Sequence, residues 1–305
     1  MTGMRIFFAF IAIILLWSTT PLAIKWSGEG PGFLFGATAR MVIGLFCMLP
    51  FILLTRRHLP YDRRALRTYA AVAMQIYGAM LSCYWGAQFI PSGWISVIFG
   101  LTPMLTALMA ALWLQERNVG LAHWFSYAMG LAGLFVMFGT ALQIGKEAVQ
   151  GIGGILAASF LQAASSVWVK RVDAKLPAVT QVTGGLLLAV PLYLLTWSIG
   201  DGVWPDRLPL PSLISIVYLG AFATTIGFAL YYYVLTHVAA TQVALITLVT
   251  PVLSLLIGNV VNREPLGAEL FLGTGLIVGA LLLHQYSGLF WQIGSRCVRR
   301  KIPSR

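Results

Sequence analysis

Residues 84–116 read YWGAQFIPSGWISVIFGLTPMLTALMAALWLQE, and residues 232–264 read YYVLTHVAATQVALITLVTPVLSLLIGNVVNRE. The two stretches align without a gap at an offset of 148 residues, which superimposes Thr102-Pro103 on Thr250-Pro251. Such a coincidence goes beyond the general likeness of two apolar segments. Because the offset is about half of the 305 residues, the sequence predicts two copies of one unit.

Composition assigns the chain to the membrane. Apolar residues make up 59% and charged residues 10%, whereas soluble domains contain about 25% charged residues. A membrane-spanning helix needs about 20 mainly apolar residues, and in hydrocarbon its backbone must bond internally. The sequence therefore predicts an all-α polytopic membrane protein with ten transmembrane helices, at about 6–24, 32–54, 69–90, 92–114, 121–142, 151–169, 178–199, 212–235, 238–260 and 266–286.

The predicted spans group into two repeats of five helices. The first repeat covers 1–142 and the second 151–287, and a basic cytoplasmic tail covers 288–305. Because five is an odd number, the second repeat must enter the membrane from the opposite side to the first, so the repeats are inverted. Inverted repeats are a recurring architecture of secondary transporters, which bind substrate between the copies.

The net charge of +11 has a topological explanation. If the N-terminus is cytoplasmic, 15 Lys and Arg residues lie inside, four lie outside, and Arg40 lies within a span. This bias follows the positive-inside rule and predicts that both termini are cytoplasmic, in a bacterial-type inner (plasma) membrane. It also argues against nucleic acid as a partner. The basic loop 56–67 and the tail are expected to contact anionic lipid headgroups.

Several motifs of the chain are typical of one family of transporters. They are Trp17-Ser18-Thr19-Thr20-Pro21 in span one, Arg40 in span two, and the paired runs Leu101-Thr102-Pro103…Glu116-Arg117 and Val249-Thr250-Pro251…Arg263-Glu264-Pro265-Leu266. On these residues the chain resembles drug/metabolite transporters of the EamA type. The resemblance extends over nearly the whole chain. It implies ten helices in two inverted repeats, with both ends cytoplasmic, and export of small metabolites, often amino acids. Members differ in substrate on one scaffold, so no single substrate follows.

Arg40 is the one charged side chain well inside a predicted span. It lies eight residues past Gly32, roughly 12 Å along a helix at about 1.5 Å per residue. An arginine at such a depth costs about 2.5–3.5 kcal/mol on insertion scales. One interpretation is a carboxylate or phosphate clamp in a wet cavity. The other is that Arg40 reaches outward or bonds helix-end carbonyls.

Pro103 and Pro251 lie in the middle of spans four and nine. Each removes a helix hydrogen bond, so a kink or local opening is expected, and Thr102 and Thr250 are available to bond the freed carbonyl groups. The prolines either form a paired gate or act as static kinks.

Several polar and aromatic residues within spans are candidates for lining a substrate site, because such sites combine apolar walls with a few polar groups. The residues selected with Arg40 are Trp17, Gln75, Tyr84, Trp94 and Gln242. Interfacial belts and packing also use Trp and Tyr, so a role in packing stays open.

Glu116 and Glu264 end spans four and nine, each beside an arginine. We expect them to anchor helix ends with a local ion pair. A proton-carrying role is the alternative, but the sequence has no acid deep within a span to support it.

Enzyme signatures are absent from the sequence, which has no HExxH, CxxC, Walker loop or paired acids within a span. The cysteines show no metal-binding or redox spacing. We therefore expect no catalytic residues, metal site or cofactor, and expect a small-molecule substrate and membrane lipids as partners. The alternative is a scaffold or lipid-handling protein without solute transport, which would need no polar, water-accessible cavity near the midplane. An ion channel is a weaker rival, because no acidic ring or carbonyl filter is visible.

Overall fold

The protein is described by a computed structural model, which covers residues 2–113, 120–237 and 240–299. These residues form helices and no strands. The α-helices are α1 (Thr2–Gly28), α2 (Phe33–Leu54), α3 (Arg63–Ala73), α4 (Met80–Ala87), α5 (Ser92–Phe99), α6 (Thr102–Trp113), α7 (Leu121–Ile144), α8 (Lys146–Val172), α9 (Ala178–Gly200), α10 (Leu210–Val217), α11 (Phe228–His237), α12 (Ala240–Asn262) and α13 (Ala268–Arg299). Two π-helical segments, π1 (Met74–Ala79) and π2 (Tyr218–Gly227), join α3 to α4 and α10 to α11.

The predicted fold class is confirmed. In the part of the chain that the structure describes, seven helices are long and apolar enough to cross a membrane, and two shorter apolar helices lie at 249–262 and 268–284. The remaining predicted span corresponds to the continuous helical stretch 63–87, whose polar residues lower its hydropathy. Helix α13 runs on to Arg299, through much of the predicted tail.

The helix contacts reflect the internal repeat. Three pairs join equivalent spans of the two copies: α2 with α9, α5 with α12, and α7 with α13. Other contacts occur twice with the copies exchanged. Span three (α3, π1 and α4) packs on α8 in the first arrangement, and span eight (α10, π2 and α11) packs on α1 in the second. In the same way, α6 packs on α8 and α12 packs on α1. The packing of the two copies is therefore consistent with the approximate two-fold relationship that the sequence repeat predicts.

The π-helical segments also follow the repeat, and the sequence did not predict them. Shifting Met74–Ala79 by 148 residues gives 222–227, which lies within π2. A π-helical segment changes the backbone bonding register, so nearby polar groups can bond the displaced carbonyl groups. In π1, the Tyr193 hydroxyl donates to the Ile76 carbonyl at 2.9 Å, and in π2 the Thr225 hydroxyl donates to the Gly220 carbonyl at 2.9 Å.

The two prolines differ in their surroundings, although the sequence predicted equivalent kinks. Span four is broken, since α5 ends at Phe99 and α6 begins at Thr102, which places Pro103 in the first turn of α6. A proline is tolerated there because its missing N–H has no helical acceptor. Pro251 instead lies inside the continuous helix α12. The expected rescue by Thr102 is wrong: its hydroxyl is buried and has no hydrogen-bond partner within the described residues.

Candidate functional site

The Arg40 side chain is buried inside the helical bundle, with 2% of its surface exposed. Its Nε–H donates to the Thr224 hydroxyl of π2 at 3.0 Å. Its guanidinium carbon lies 5.9 Å from the centre of the Tyr84 ring of α4, within the range of a cation–π interaction. Arg40 therefore points between the repeats and does not reach outward to a helix end.

Two glycines bring α2 close to π2 and so set the Arg40–Thr224 contact. A Cβ atom on Gly44 would lie 2.9 Å from Thr224 Cγ2, and one on Gly220 would lie 2.9 Å from the Arg40 carbonyl oxygen. Larger residues at either glycine would separate the backbones. The close approach lets a short threonine side chain reach a guanidinium on the neighbouring helix.

The guanidinium keeps hydrogen-bonding capacity that the described residues do not use. Its Nη1 atom is buried and has no hydrogen-bond partner among the described residues, and no carboxylate forms an ion pair with Arg40 in the same part of the chain. Buried donors are nearly always paired, so an unpaired one needs an explanation. A planar guanidinium matches carboxylate and phosphate groups through parallel N–H bonds. The arrangement is suited to an anionic group that is not part of the protein.

Of the other predicted lining residues, Tyr84 is the one that the described hydrogen bonds and ring contacts join to Arg40. Its side chain is 1% exposed, and its hydroxyl lies 3.5 Å from Ser27 Oγ. Gln75 is buried in π1, Trp94 is buried in α5, and the Trp17 ring packs on Tyr231 at 4.9 Å between centroids. The Gln242 side chain lies outside the described residues.

Thr224 and Tyr193 are site residues that sequence reasoning missed. Thr224 binds Arg40 directly, whereas Tyr193 is fully buried and joins α9 to π1 through the Ile76 carbonyl. The signal present in the sequence was a pair of adjacent threonines, Thr224-Thr225, within an otherwise apolar span. Contacts between residues 184 positions apart leave no local pattern.

Glu264 forms a second polar centre, at the end of the bundle where α1 and α12 finish and α5 begins. Its carboxylate is 8% exposed and accepts hydrogen bonds from the Ser92 backbone N–H at 3.0 Å, the Ser92 hydroxyl at 3.0 Å and the Gly93 N–H at 3.3 Å. It therefore supplies the acceptor for the first N–H groups of α5, where a negative charge is also favoured by the helix dipole. This contact joins the second repeat to the first.

Further hydrogen bonds extend this contact across the same end of the bundle. The Asn262 amide donates to the Glu264 carboxylate at 2.9 Å and accepts from the Trp26 indole at 3.3 Å, and Lys25 donates to the Ile90 carbonyl at 3.2 Å. We call these five residues with Ser92 and Gly93 the Glu264 network. Through it, the ends of α1, α5 and α12 are held together.

The expected ion pair between Glu264 and its neighbouring arginine is not formed. Arg263 is exposed with a positive φ of 53°, and the Glu264 carboxylate faces α5 instead. Backbone N–H groups at a helix start satisfy a buried carboxylate at several points at once, which one flexible exposed arginine cannot do. Glu116, the repeat partner of Glu264, lies outside the described residues.

Comparison with known proteins gives a consistent classification. The model of the EamA-like transporter family matches residues 4–139 and 149–284. An uncharacterized transporter of Archaeoglobus fulgidus is 25% identical, with 87% of this chain and 93% of the relative covered. The uncharacterized inner membrane transporter YedA of Escherichia coli K12 is 27% identical, with 91% and 90% covered. A crystal structure aligns with a TM-score of 0.66 at 24% identity, covering 92% of this chain and 96% of the other, and supports the fold.

Proposed function

This chain belongs to the EamA-like transporter family, and we propose that it exports small metabolites bearing a carboxylate or phosphate group, such as amino acids or amphipathic acids. The observation that carries the substrate class is the buried Arg40 guanidinium, whose Nη1 atom has no hydrogen-bond partner in the described part of the chain. Thr224 and Tyr84, on two other helices, hold the guanidinium in place. Preorganised donors of this kind favour an anionic group without rearrangement of the protein on binding.

Alternating access is the mechanism that the repeat supports. Two inverted repeats related by a pseudo-two-fold axis can open a midplane site first to one side and then to the other. The Glu264 network supplies the closure at one end, because it joins α12 of the second repeat to α1 and α5 of the first. The break before Pro103 and the proline within α12 provide bending points in spans four and nine.

We further propose that the Glu264 network faces the periplasm and that both termini are cytoplasmic. The support is the charge distribution, which puts 15 Lys and Arg residues on the proposed cytoplasmic side and four on the side of the Glu264 network. Single cysteines at positions 207 and 63 test the orientation in a background without Cys47, Cys83 and Cys297. A membrane-impermeant thiol reagent added outside intact cells is expected to label position 207 and not position 63. The opposite pattern would reverse the assignment.

Transport itself is tested with purified protein in phospholipid vesicles. We expect labelled amino acids or small organic acids to enter protein-containing vesicles faster than empty ones, and a saturating unlabelled substrate inside to drive transient counterflow. Neutral analogues that lack the carboxylate are expected to be poor substrates. The same screen with and without a pH gradient identifies proton coupling.

The outcomes of this screen separate the competing functions. Counterflow requires a carrier, so conduction without counterflow would identify a channel. Absence of transport for every anionic and zwitterionic compound, by protein that is folded and correctly inserted, would favour the scaffold or lipid-handling function. Transport of neutral compounds in preference to their acids would contradict the proposed substrate class while keeping the transport function.

A further inference from the structure

A groove on the outer surface of the bundle lies between α9 on one side and α3 with π1 on the other. Its volume is about 440 Å³, and its lining consists of Ala70, Ala73, Met74, Tyr77, Leu188 and Leu192. On α9, Leu188 is 41% exposed and Leu192 is 42% exposed, so the groove opens outward. Small alanines on α3 opposite these leucines leave the space unfilled.

The described side chains that line the groove offer no free hydrogen-bonding group to a polar ligand. Five of its six lining residues are apolar, and the hydroxyl of the sixth, Tyr77, already hydrogen bonds with the Thr196 hydroxyl at 2.6 Å. Because both helices belong to predicted membrane spans, the surrounding medium is hydrocarbon. The chemistry of the groove therefore fits an acyl chain.

Two arginines continue the groove toward the start of α3. Arg63, Arg67 and Ala70 are spaced by four and three residues on α3, so they lie on one face of that helix, and Met74 follows at the start of π1. Both arginines are exposed. The nearby Asp62 carboxylate is engaged as the helix N-cap, accepting from the Arg64 and Ala65 backbone N–H groups at 3.1 and 3.3 Å. The arginines therefore keep their positive charge available at the mouth of the groove.

The length of this surface matches one membrane leaflet. Ten residues separate Arg67 from Tyr77, which corresponds to roughly 15 Å of helix, or about half of a hydrocarbon core of ~30 Å. From the charge distribution, the arginine end is the proposed cytoplasmic side, where the leaflet carries anionic lipids. The positive charge of the arginines, their proposed cytoplasmic position and the length of the groove surface all fit an anionic phospholipid of that leaflet.

We propose that this groove binds one acyl chain of an anionic phospholipid whose phosphate contacts Arg63 and Arg67. The site lies between the repeats, because α3 and α9 belong to different copies and touch through Tyr69 and Val72 packed on Gly184 and Gly185. A bound lipid would extend this contact and stabilise the joined repeats. The proposal is independent of the transported substrate.

Lipid retention by the purified full-length protein, measured by native mass spectrometry, tests the site. Dioleoyl phosphatidylglycerol is expected to remain bound at concentrations where dioleoyl phosphatidylcholine does not. The double variant Arg63→Ala/Arg67→Ala is expected to weaken phosphatidylglycerol binding roughly 30-fold. The control Arg57→Ala/Arg64→Ala removes the same charge from exposed positions off the groove face and is expected to have a much smaller effect.

A second pair of variants tests the acyl chain without changing charge. Ala70→Leu fills the groove and is expected to lower phosphatidylglycerol retention by about tenfold, whereas Ala157→Leu, at an exposed position on α8, is expected to leave it unchanged. Equal losses in the two double variants would show diffuse charge attraction and overturn the site. Unchanged binding in Ala70→Leu, or equal retention of phosphatidylcholine, would also overturn it. None of these readouts depends on transport.

Discussion

Replacement of Arg40 by alanine is expected to lower substrate transport about a hundredfold while folded protein remains in the membrane. The guanidinium is buried, and its Nη1 atom, which no described residue pairs, is the group proposed to bind the anionic part of the substrate. Truncating one partner of a buried charged pair costs about 2–5 kcal/mol, and about 2.7 kcal/mol corresponds to a hundredfold change. Initial rates in vesicles, normalised to inserted protein, measure the effect.

Two further variants distinguish anion binding from a structural role of Arg40. Arg40→Lys keeps the charge but loses the planar pair of donors, so we expect only partial recovery of transport. Thr224→Val removes the hydroxyl that accepts from Nε and keeps the shape of the side chain, so we expect a raised KM with a smaller loss of rate. Full transport by the alanine variant would contradict the proposed binding role.

Substrate charge provides a check on the same residue. If Arg40 binds the carboxylate, a neutral amide analogue should lose transport in the wild type and should not be affected further by Arg40→Ala. Additive losses from the two changes would show that Arg40 and the carboxylate act independently. Such a result would indicate that a residue other than Arg40 binds the substrate carboxylate.

The membrane fold was predictable from the sequence because span length and apolar composition are physical requirements of the bilayer. The paired prolines also helped to reveal the repeat. Their sequence did not show, however, that the local helix structure at Pro103 differs from that at Pro251. The helix is broken before Pro103 and continuous through Pro251, although the same Thr-Pro pair occurs at both positions. The π-helical segments were likewise hidden, since the register at π1 involves a hydroxyl from Tyr193, more than a hundred residues away.

The candidate site was predictable only where a residue conflicts with its surroundings. Arg40 stood out because a charge within an apolar span is costly. Its partner Thr224 did not, because threonine is ordinary in a membrane helix. Glu264 was recognised as a helix-end residue, but the helix that it binds begins 172 residues earlier at Ser92. Arg40 and Glu264 could thus be selected from sequence, while their partners required the packing of the two repeats.

Glu264→Ala is expected to open the end of the bundle that the Glu264 network closes. The carboxylate accepts four hydrogen bonds. The three from Ser92 and Gly93 form only while the end of α12 lies against α5, whereas the one from Asn262 joins two neighbouring residues of the same segment. Each hydrogen bond to a charged group contributes about 1.5–3 kcal/mol. The variant is therefore expected to destabilise the closed state by about 1.4 kcal/mol or more, which changes the ratio of the two states at least tenfold. Glu29→Ala, which removes an exposed carboxylate at the same end, is the matched control.

The accessibility of single cysteines measures the ratio of the outward-facing state to the inward-facing state. Ser82 lies in α4 toward the Glu264 end, and Leu230, its counterpart at the repeat offset, lies in α11 toward the other end. In a background without the native cysteines, Glu264→Ala should increase labelling at position 82 from outside and decrease labelling at position 230 from inside. Equal labelling in Glu264→Ala and Glu29→Ala would show that the network does not control the closed state.

The same assay tests whether the prolines act as a gate. A mutation shifts a two-state equilibrium only by its free-energy difference between the states, so a static kink leaves the ratio unchanged. Pro103 follows a helix break and Pro251 interrupts the bonding of a continuous helix, so their replacement by alanine removes bending points from opposite repeats. Pro103→Ala is therefore expected to favour one facing state and Pro251→Ala the other, with opposite changes at positions 82 and 230. Identical responses, or none, would identify both prolines as static kinks and leave the Glu264 network as the support for alternating access.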